Sequence, residues 1–229
     1  MIDGALRSEI PAETLFLLNP HGIVMGAHAR LDVGGSFYMS TAHDLRFEDG
    51  VVFQARYESG SVLSTAAPRA FGFLDGPVED IHIQGSHLTV PRGKTLGIIG
   101  GDMAIEAGRL RAPSGTLSLA SVSQVMVRAE VSLSAAEMVV PEGMRLGDVT
   151  ISDAARLETD GNGGGLVAIR SGQWTMAQSD ISAENDGNVP RTGASIDIAA
   201  TELPPPTRLA FVMAHRSAWI AALQDVVAM

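Results

Sequence analysis

Between Ile81 and Leu119 the chain reads Ile81-His-Ile83, Leu88-Thr-Val90, Leu96-Gly-Ile98, Met103-Ala-Ile105, Leu110-Arg-Ala112 and Leu117-Ser-Leu119. These triplets start 7, 8, 7, 7 and 7 residues apart. Turn formers stand between them: Gly85-Ser86, Pro91-Arg92-Gly93, Gly100-Gly101-Asp102, Gly108 and Pro113-Ser114-Gly115. Within a triplet the residues alternate inward and outward, the period of a strand with one buried face. Strands this short and this frequent cannot bury that face as a meander of hairpins. They can bury it in a coil of three strands, about 21 residues per circuit, with each circuit stacked on the last. Every backbone N–H and C=O then pairs with the coil above or below, at about 4.7–4.9 Å. The spacing therefore predicts an all-β chain wound as a parallel β-helix.

Working outward, the beat resumes with Val149-Thr-Ile151, Leu157-Glu-Thr159, Val167-Ala-Ile169, Trp174-Thr-Met176, Ile181-Ser-Ala183 and Ile196-Asp-Ile198. The longer gaps carry Gly161-Asn-Gly-Gly-Gly165 and Asn185-Asp-Gly-Asn188, which read as turns bulging from the coil. Residues 1–80 hold strand-like runs at irregular intervals, such as Leu15-Phe-Leu-Leu18, Gly22-Ile-Val-Met25 and Val51-Val-Phe-Gln54. After Pro204-Pro-Pro206 the alternation stops, and the helix formers of Leu209 to Val227 read as a short helical tail capping the last rung. The reading divides the chain into residues 1–80 with irregular strands, 81–203 as regular coils continuous with them, and 204–229 as a non-repeat tail.

Composition narrows the function. With 229 residues and 45% apolar content, the chain can bury a core. It carries 16 basic and 26 acidic residues, a formal charge of −10, and Lys94 is its one lysine. No Lys/Arg cluster stands out along the sequence, so nucleic acid is not an expected partner. The absence of cysteine excludes disulfides, thiolate metal sites and a Cys nucleophile. Met1 to Arg7 has neither a basic region nor an apolar run, so no signal peptide is read in this chain. The apolar stretch Leu209 to Met229 is interrupted by Arg216 and Asp225 and falls short of a membrane span.

One segment carries more identity than composition does: Asn19-Pro20-His21-Gly22-Ile23, followed by Leu31-Asp-Val-Gly34-Gly35-Ser36-Phe37. Asn bonds its own backbone at the first position of a turn, Pro presets the second, and Gly suits the fourth. A β-turn is therefore expected at Asn19–Gly22 and a second structural turn at Gly34, Gly35 and Ser36. The run resembles the haemagglutination-activity domain of filamentous-haemagglutinin-like exoproteins, whose hallmark Asn-Pro-Asn-Gly-Ile differs here by His21. Ser40-Thr-Ala42, Ala70-Phe-Gly-Phe-Leu74, Gly93-Lys-Thr-Leu96 and Gly100-Gly-Asp102 extend the likeness in order, from Ile2 to about Leu203.

The resemblance implies a right-handed parallel β-helix that is secreted or held at the cell surface. It also implies an outer-membrane pore transporter as partner in two-partner secretion, and a surface glycan or protein, of no identified kind, as receptor. Asn19, Pro20, His21, Gly22 and Ile23 then become the secretion and partner-recognition motif. By the same likeness the sequence begins partway into the domain, with the family's leader and first strands expected before Met1. The function expected is secretion and adhesion without catalysis, with no cofactor and no metal. The alternatives are a secretion-incompetent remnant and a β-helix enzyme acting on polysaccharide.

Reaction chemistry finds little support in the residues. The six histidines, His21, His28, His43, His82, His87 and His215, lack metal-site spacing and read as turn and strand residues. Asp160-Gly-Asn-Gly-Gly-Gly is similar to a calcium-binding glycine repeat but occurs once, so a glycine turn is the reading. A polysaccharide-acting β-helix would need grouped carboxylates beside a basic residue; Asp148, Asp153, Asp160 and Asp180 are the candidates, with Lys94 far away in the coil count. Phe47, Phe53, Phe71, Phe73 and Trp174 read as core residues before sugar-stacking ones.

Overall fold

The computed structural model describes residues 1–55, 64–190, 193 and 195–202. It is a parallel β-helix with three faces. Face 2 is the plainest: a six-stranded sheet in the order Ala5–Arg7, Arg30–Asp32, His87–Thr89, Arg109–Arg111, Arg156–Glu158 and Asp180–Ser182. Every pairing is parallel. Face 3 stacks Leu15–Leu18, Phe37–Ser40, Thr95–Gly100, Thr116–Val125, Leu166–Met176 and Ile196–Glu202. Face 1 stacks Ile23–Met25, Ile81–Gln84, Met103–Glu106 and Val149–Ser152, and ends on the far half of Leu166–Met176, where Val149 pairs with Trp174. That long strand bends at Ser171–Gln173 and so belongs to two faces. Where no residues intervene the circuit is the length expected: Leu96 pairs with Leu117, 21 residues on, and Ile81 with Met103, 22 residues on.

Each inward position forms a column of apolar side chains. Face 2 contributes Leu6, Leu31, Leu88, Leu110, Leu157 and Ile181, one per rung. Face 1 supplies Met25, Ile83, Ile105, Ile151 and Met176 along one of its columns. These meet inside with Phe37, Leu96, Leu117 and Val167 of face 3 to make one continuous core. At the first and last described rungs the same columns are half-buried (Leu6, Leu15, Ile181, Ile198), because among the described residues each has a neighbouring rung on one side only.

The irregular spacing read across residues 1–80 has a physical source. Strands up to Ser40 are already in register with the coil; between Thr41 and Asp80 the chain leaves it. This excursion supplies Asp44–Phe47, Val52–Gln54 and Pro68–Phe73 to an antiparallel four-stranded sheet. The fourth strand, Ala129–Ser132, comes from a second excursion after Thr116–Val125. The sheet covers the outer side of face 3 and encloses a second core of Leu45, Phe47, Phe71, Phe73 and Val131 against Phe16, Tyr38, Ile99 and Ala120. Phe16 and Tyr38 stack at 5.2 Å between ring centroids, with the Phe71 edge 6.3 Å from Phe16. Phe47, Phe71, Phe73 and Trp174 are therefore core residues, and Phe53 is half-buried against the same cluster.

The one helical turn among the described residues is Ala135–Glu137. The tail expected to be helical over 204–229 lies outside the described residues.

The inner columns yield a test. Leu110 is fully buried in the middle of its column, whereas Thr89 on the same face points outward and is exposed. Leu110→Ala is expected to lower the unfolding free energy by about 2–5 kcal/mol. Thr89→Ala is expected to stay within about 0.5 kcal/mol of the parent in the same urea titration.

Candidate functional site

The Asn19–Ile23 segment makes the corner between Leu15–Leu18 of face 3 and Ile23–Met25 of face 1. The turn is closed by its own groups. Gly22 N–H donates to the Asn19 carbonyl at 3.2 Å, and the Asn19 amide donates to the Gly22 carbonyl at 2.8 Å. His21 N–H donates to Asn19 Oδ1 at 3.2 Å. Gly22 has φ +91°, a backbone that side-chain-bearing residues rarely adopt. Pro20 is buried, whereas Asn19 and His21 are exposed.

The coil grips the turn at both ends: Asn19 N–H donates to the Ser40 carbonyl at 3.0 Å and Ile23 N–H to the Asp80 carbonyl at 3.0 Å. Beside it lies a shallow cleft of about 60 Å³ lined by Met1, Ile2, Leu17, Asn19, Gly22, Ile23 and Val24. What the turn presents outward is a fixed backbone shape, one imidazole and a small hollow of mixed polar and apolar lining.

Gly34, Gly35 and Ser36 form a different corner, from face 2 to face 3, so the structure does not merge them with the Asn19 turn. Their role is contact between rungs. A Cβ on Gly35 would lie 2.1 Å from the Glu13 carbonyl oxygen of the rung before, so no larger residue fits without moving backbone. Ser36 accepts from Leu15 N–H through its carbonyl at 2.9 Å, and from Thr95 N–H through its hydroxyl at 3.0 Å.

Two features near the site escaped the sequence reading. The first is an aspartate column on the same corner as the Asn19 turn. Asp80 Oδ1 accepts from Asp102 N–H at 3.0 Å, Asp102 Oδ1 from Asp148 N–H at 3.0 Å, and Asp148 Oδ1 from Gln173 N–H at 3.1 Å. Its signal was an Asp immediately before each apolar strand residue: Asp80-Ile81, Asp102-Met103, Asp148-Val149. The second is Asp3, whose Oδ1 accepts from His28 N–H at 2.8 Å and whose Oδ2 lies 3.0 Å from His28 Nδ1.

The remaining candidates are dispersed. Asp148 stands in the column just described, Asp153 on the corner from face 1 to face 2, Asp160 on the corner from face 2 to face 3, and Asp180 on face 2 itself. Asp160 Oδ1 accepts from Glu184 N–H at 2.7 Å, and Gly161, Gly163 and Gly164 beside it have positive φ, as the glycine-turn reading expects. Among the described residues no group of three or more His, Asp or Glu is placed to hold a metal ion.

Residues 1–190 match the family model of the TPS secretion domain. No curated protein and no solved structure matches the chain significantly.

Two outcomes follow from the geometry. Gly22→Ala is expected to cost about 1–2 kcal/mol of stability in a urea titration, since alanine resists the positive φ. The acid side is set in part by Asp3, whose carboxyl is held below its ordinary value chiefly by the His28 backbone N–H and next by the His28 ring. A carboxyl depressed in the folded state stabilises above its unfolded pKa and loses that contribution as pH falls through the folded value. Asp3→Asn is therefore expected to lower Tm near neutrality and to shrink the drop in Tm between about pH 6 and about pH 3.

Proposed function

The chain belongs to the family of TPS secretion domains, and from that premise we propose that it directs export of a two-partner-secretion exoprotein and then serves adhesion. The reading rests above all on the family match over residues 1–190, which spans the described coil from Ile2 to Ile181. An outer-membrane pore transporter is the partner in export, and the product is secreted or displayed at the cell surface.

The Asn19–Ile23 turn is the part of the chain that the transporter reads, together with the hollow beside it. The turn suits that task because its shape is set before any partner arrives. Three internal hydrogen bonds and two anchors in neighbouring rungs leave little to order on binding, which limits the entropy cost of association. Gly34, Gly35 and Ser36 act indirectly, by holding the first two circuits at their proper separation. The work done is mechanical presentation, without turnover of a substrate: a stack of rungs carries outward side chains to a receptor.

Export of the chain, fused behind a leader and co-expressed with a pore transporter of its own genome, tests the proposal. Asn19→Ala and Gly22→Ala are expected to reduce the exported fraction several-fold while Thr89→Ala leaves it unchanged. Equal export of all three, with the turn variants shown to be folded by circular dichroism, would overturn the role given to the turn. Calcium-dependent shortening of polygalacturonate by the purified chain would instead support the enzyme alternative.

A further inference from the structure

The outer side of face 2 carries a feature that the export reading does not use. Its outward positions form two columns along the coil axis. One runs Ala5, Arg30, His87, Arg109, Arg156, Asp180, and the other Arg7, Asp32, Thr89, Arg111, Glu158, Ser182. Five arginines stand against three acids, a surplus of two positive charges on one face of a chain whose formal charge is −10. The two other faces lack this character. Face 1 presents Val24, His82, Ala104, Thr150 and Thr175 along its central outer column, and face 3 is covered by the antiparallel sheet.

The arginines are reachable, and Arg30, Arg111 and Arg156 are only loosely committed, whereas Arg7 pairs with Asp32 at 3.1 Å. Arg7, Arg109, Arg111 and Arg156 keep between 46% and 65% of their side chains exposed. Arg109 is well paired with Glu158 at 2.8 Å, but Arg111 reaches the same carboxylate only at 3.8 Å and Arg156 reaches Asp180 at 4.0 Å. Arg30 is exposed and has no acidic partner among the described residues. Exposed ion pairs of this kind are worth about 0–1 kcal/mol, so an incoming anion can replace them.

We infer that the Arg30–His87–Arg109–Arg156 column, flanked by Arg7 and Arg111, binds a linear acidic polysaccharide laid along the coil axis. Arg109 and Arg156 stand on adjacent rungs, about 4.7–4.9 Å apart, and Arg30 stands two rungs from Arg109 with His87 between them. A polymer of uronate or sulfated sugars carries its anions on successive or alternate rings, so an extended chain can face cations on adjacent rungs and on rungs two apart. The guanidinium fork matches carboxylate and sulfate geometry better than an ammonium does. Nucleic acid suits the face less well. Its charges are set closer, about 3.4 Å per strand along a duplex. A single strand needs aromatic platforms for successive bases, and the outer columns of face 2 hold no Phe, Tyr or Trp and one imidazole, His87.

This inference deepens the adhesive half of the proposed function by naming a receptor chemistry. It is tested in solution on the purified full chain, so failed export and failed binding are separate results. Polygalacturonate and heparin, as carboxylated and sulfated probes, are titrated at low salt beside neutral dextran and a single-stranded oligonucleotide. Binding of at least one acidic glycan, with dextran inert, is the expected result; binding of polygalacturonate shows that carboxylate suffices, and binding of heparin alone shows that sulfate is needed. The double variant Arg30→Gln with Arg156→Gln is expected to bind about tenfold more weakly and with a shallower salt dependence. Arg145→Gln, exposed on the second excursion, is expected to leave binding unchanged. The inference is overturned by no binding of either glycan, by equal affinity of parent and double variant, or by tighter binding of the oligonucleotide than of both glycans.

Discussion

Hydrogen bonding between rungs is the constraint from which the rest of this molecule follows. No coil strand completes its backbone pairing within its own circuit; its partners are the strands above and below. Each rung must therefore repeat the path of its neighbour, and an inward residue must match the one beneath it. The column Leu6, Leu31, Leu88, Leu110, Leu157, Ile181 is that requirement written in side chains. Extra residues can enter only at corners, where the path is free to leave and return. Both excursions use the same corner, from face 3 to face 1, after Ser40 and after Thr116–Val125. The corner is tight again at Asn19–Gly22, Gly101–Asp102 and Ser171–Gln173. Because open and tight corners alternate, the two excursions have room to emerge, and they lie near enough for Ala129–Ser132 to pair with Pro68–Phe73.

That shared corner explains a buried charge. Asp44 lies in the antiparallel sheet with its side chain only 2% exposed. Arg46 Nε donates to its Oδ1 at 2.9 Å, and Arg128, from the second excursion, donates to Oδ2 at 2.6 Å. Arg46 also pairs with Glu130, which holds Arg69 at 2.7 Å. An apolar cluster would cover face 3 as well, but oily strands slide. A paired carboxylate sets which residue of one excursion faces which of the other, and leaving it unpartnered would be strongly destabilising. The sheet that hides Phe16 and Tyr38 is thus held in one register.

How much of this could be read beforehand depended on how local each signal was. The triplets after Ile81 announced the coil because three faces of near-equal length give a nearly constant stride. The Asn19–Gly22 turn was legible because Asn, Pro and Gly act on their own backbone. Its anchor on the Asp80 carbonyl was not, since 57 residues and a whole excursion separate Ile23 from Asp80. The antiparallel sheet was hidden for a related reason. Leu45 and Phe47, or Phe71 and Phe73, alternate with the same period as coil strands, and Phe71 meets Val131 only through the fold. The arginine column lay in plain view as Arg30-Leu-Asp, His87-Leu-Thr, Arg109-Leu-Arg and Arg156-Leu-Glu. Counting charge along the chain concealed it, because the stacking that gathers those residues is not a sequence neighbourhood.

The arginine column also shows why an outer face of a β-helix is seldom neutral in consequence. A side chain placed outward recurs at one rung's separation if the next rung repeats it, and like charges so close repel. Glu158 relieves this for Arg109 and in part for Arg111, and Asp32 does so for Arg7 at 3.1 Å. Nothing comparable relieves Arg30 among the described residues. Repulsion along the column is tolerable because water screens exposed charges, and because the backbone ladder beneath does not depend on the side chains above it. The ladder therefore holds a line of cations at fixed spacing that a flexible chain would spread apart. An anion polymer binding there need not order the protein; it only replaces water and weak internal pairs.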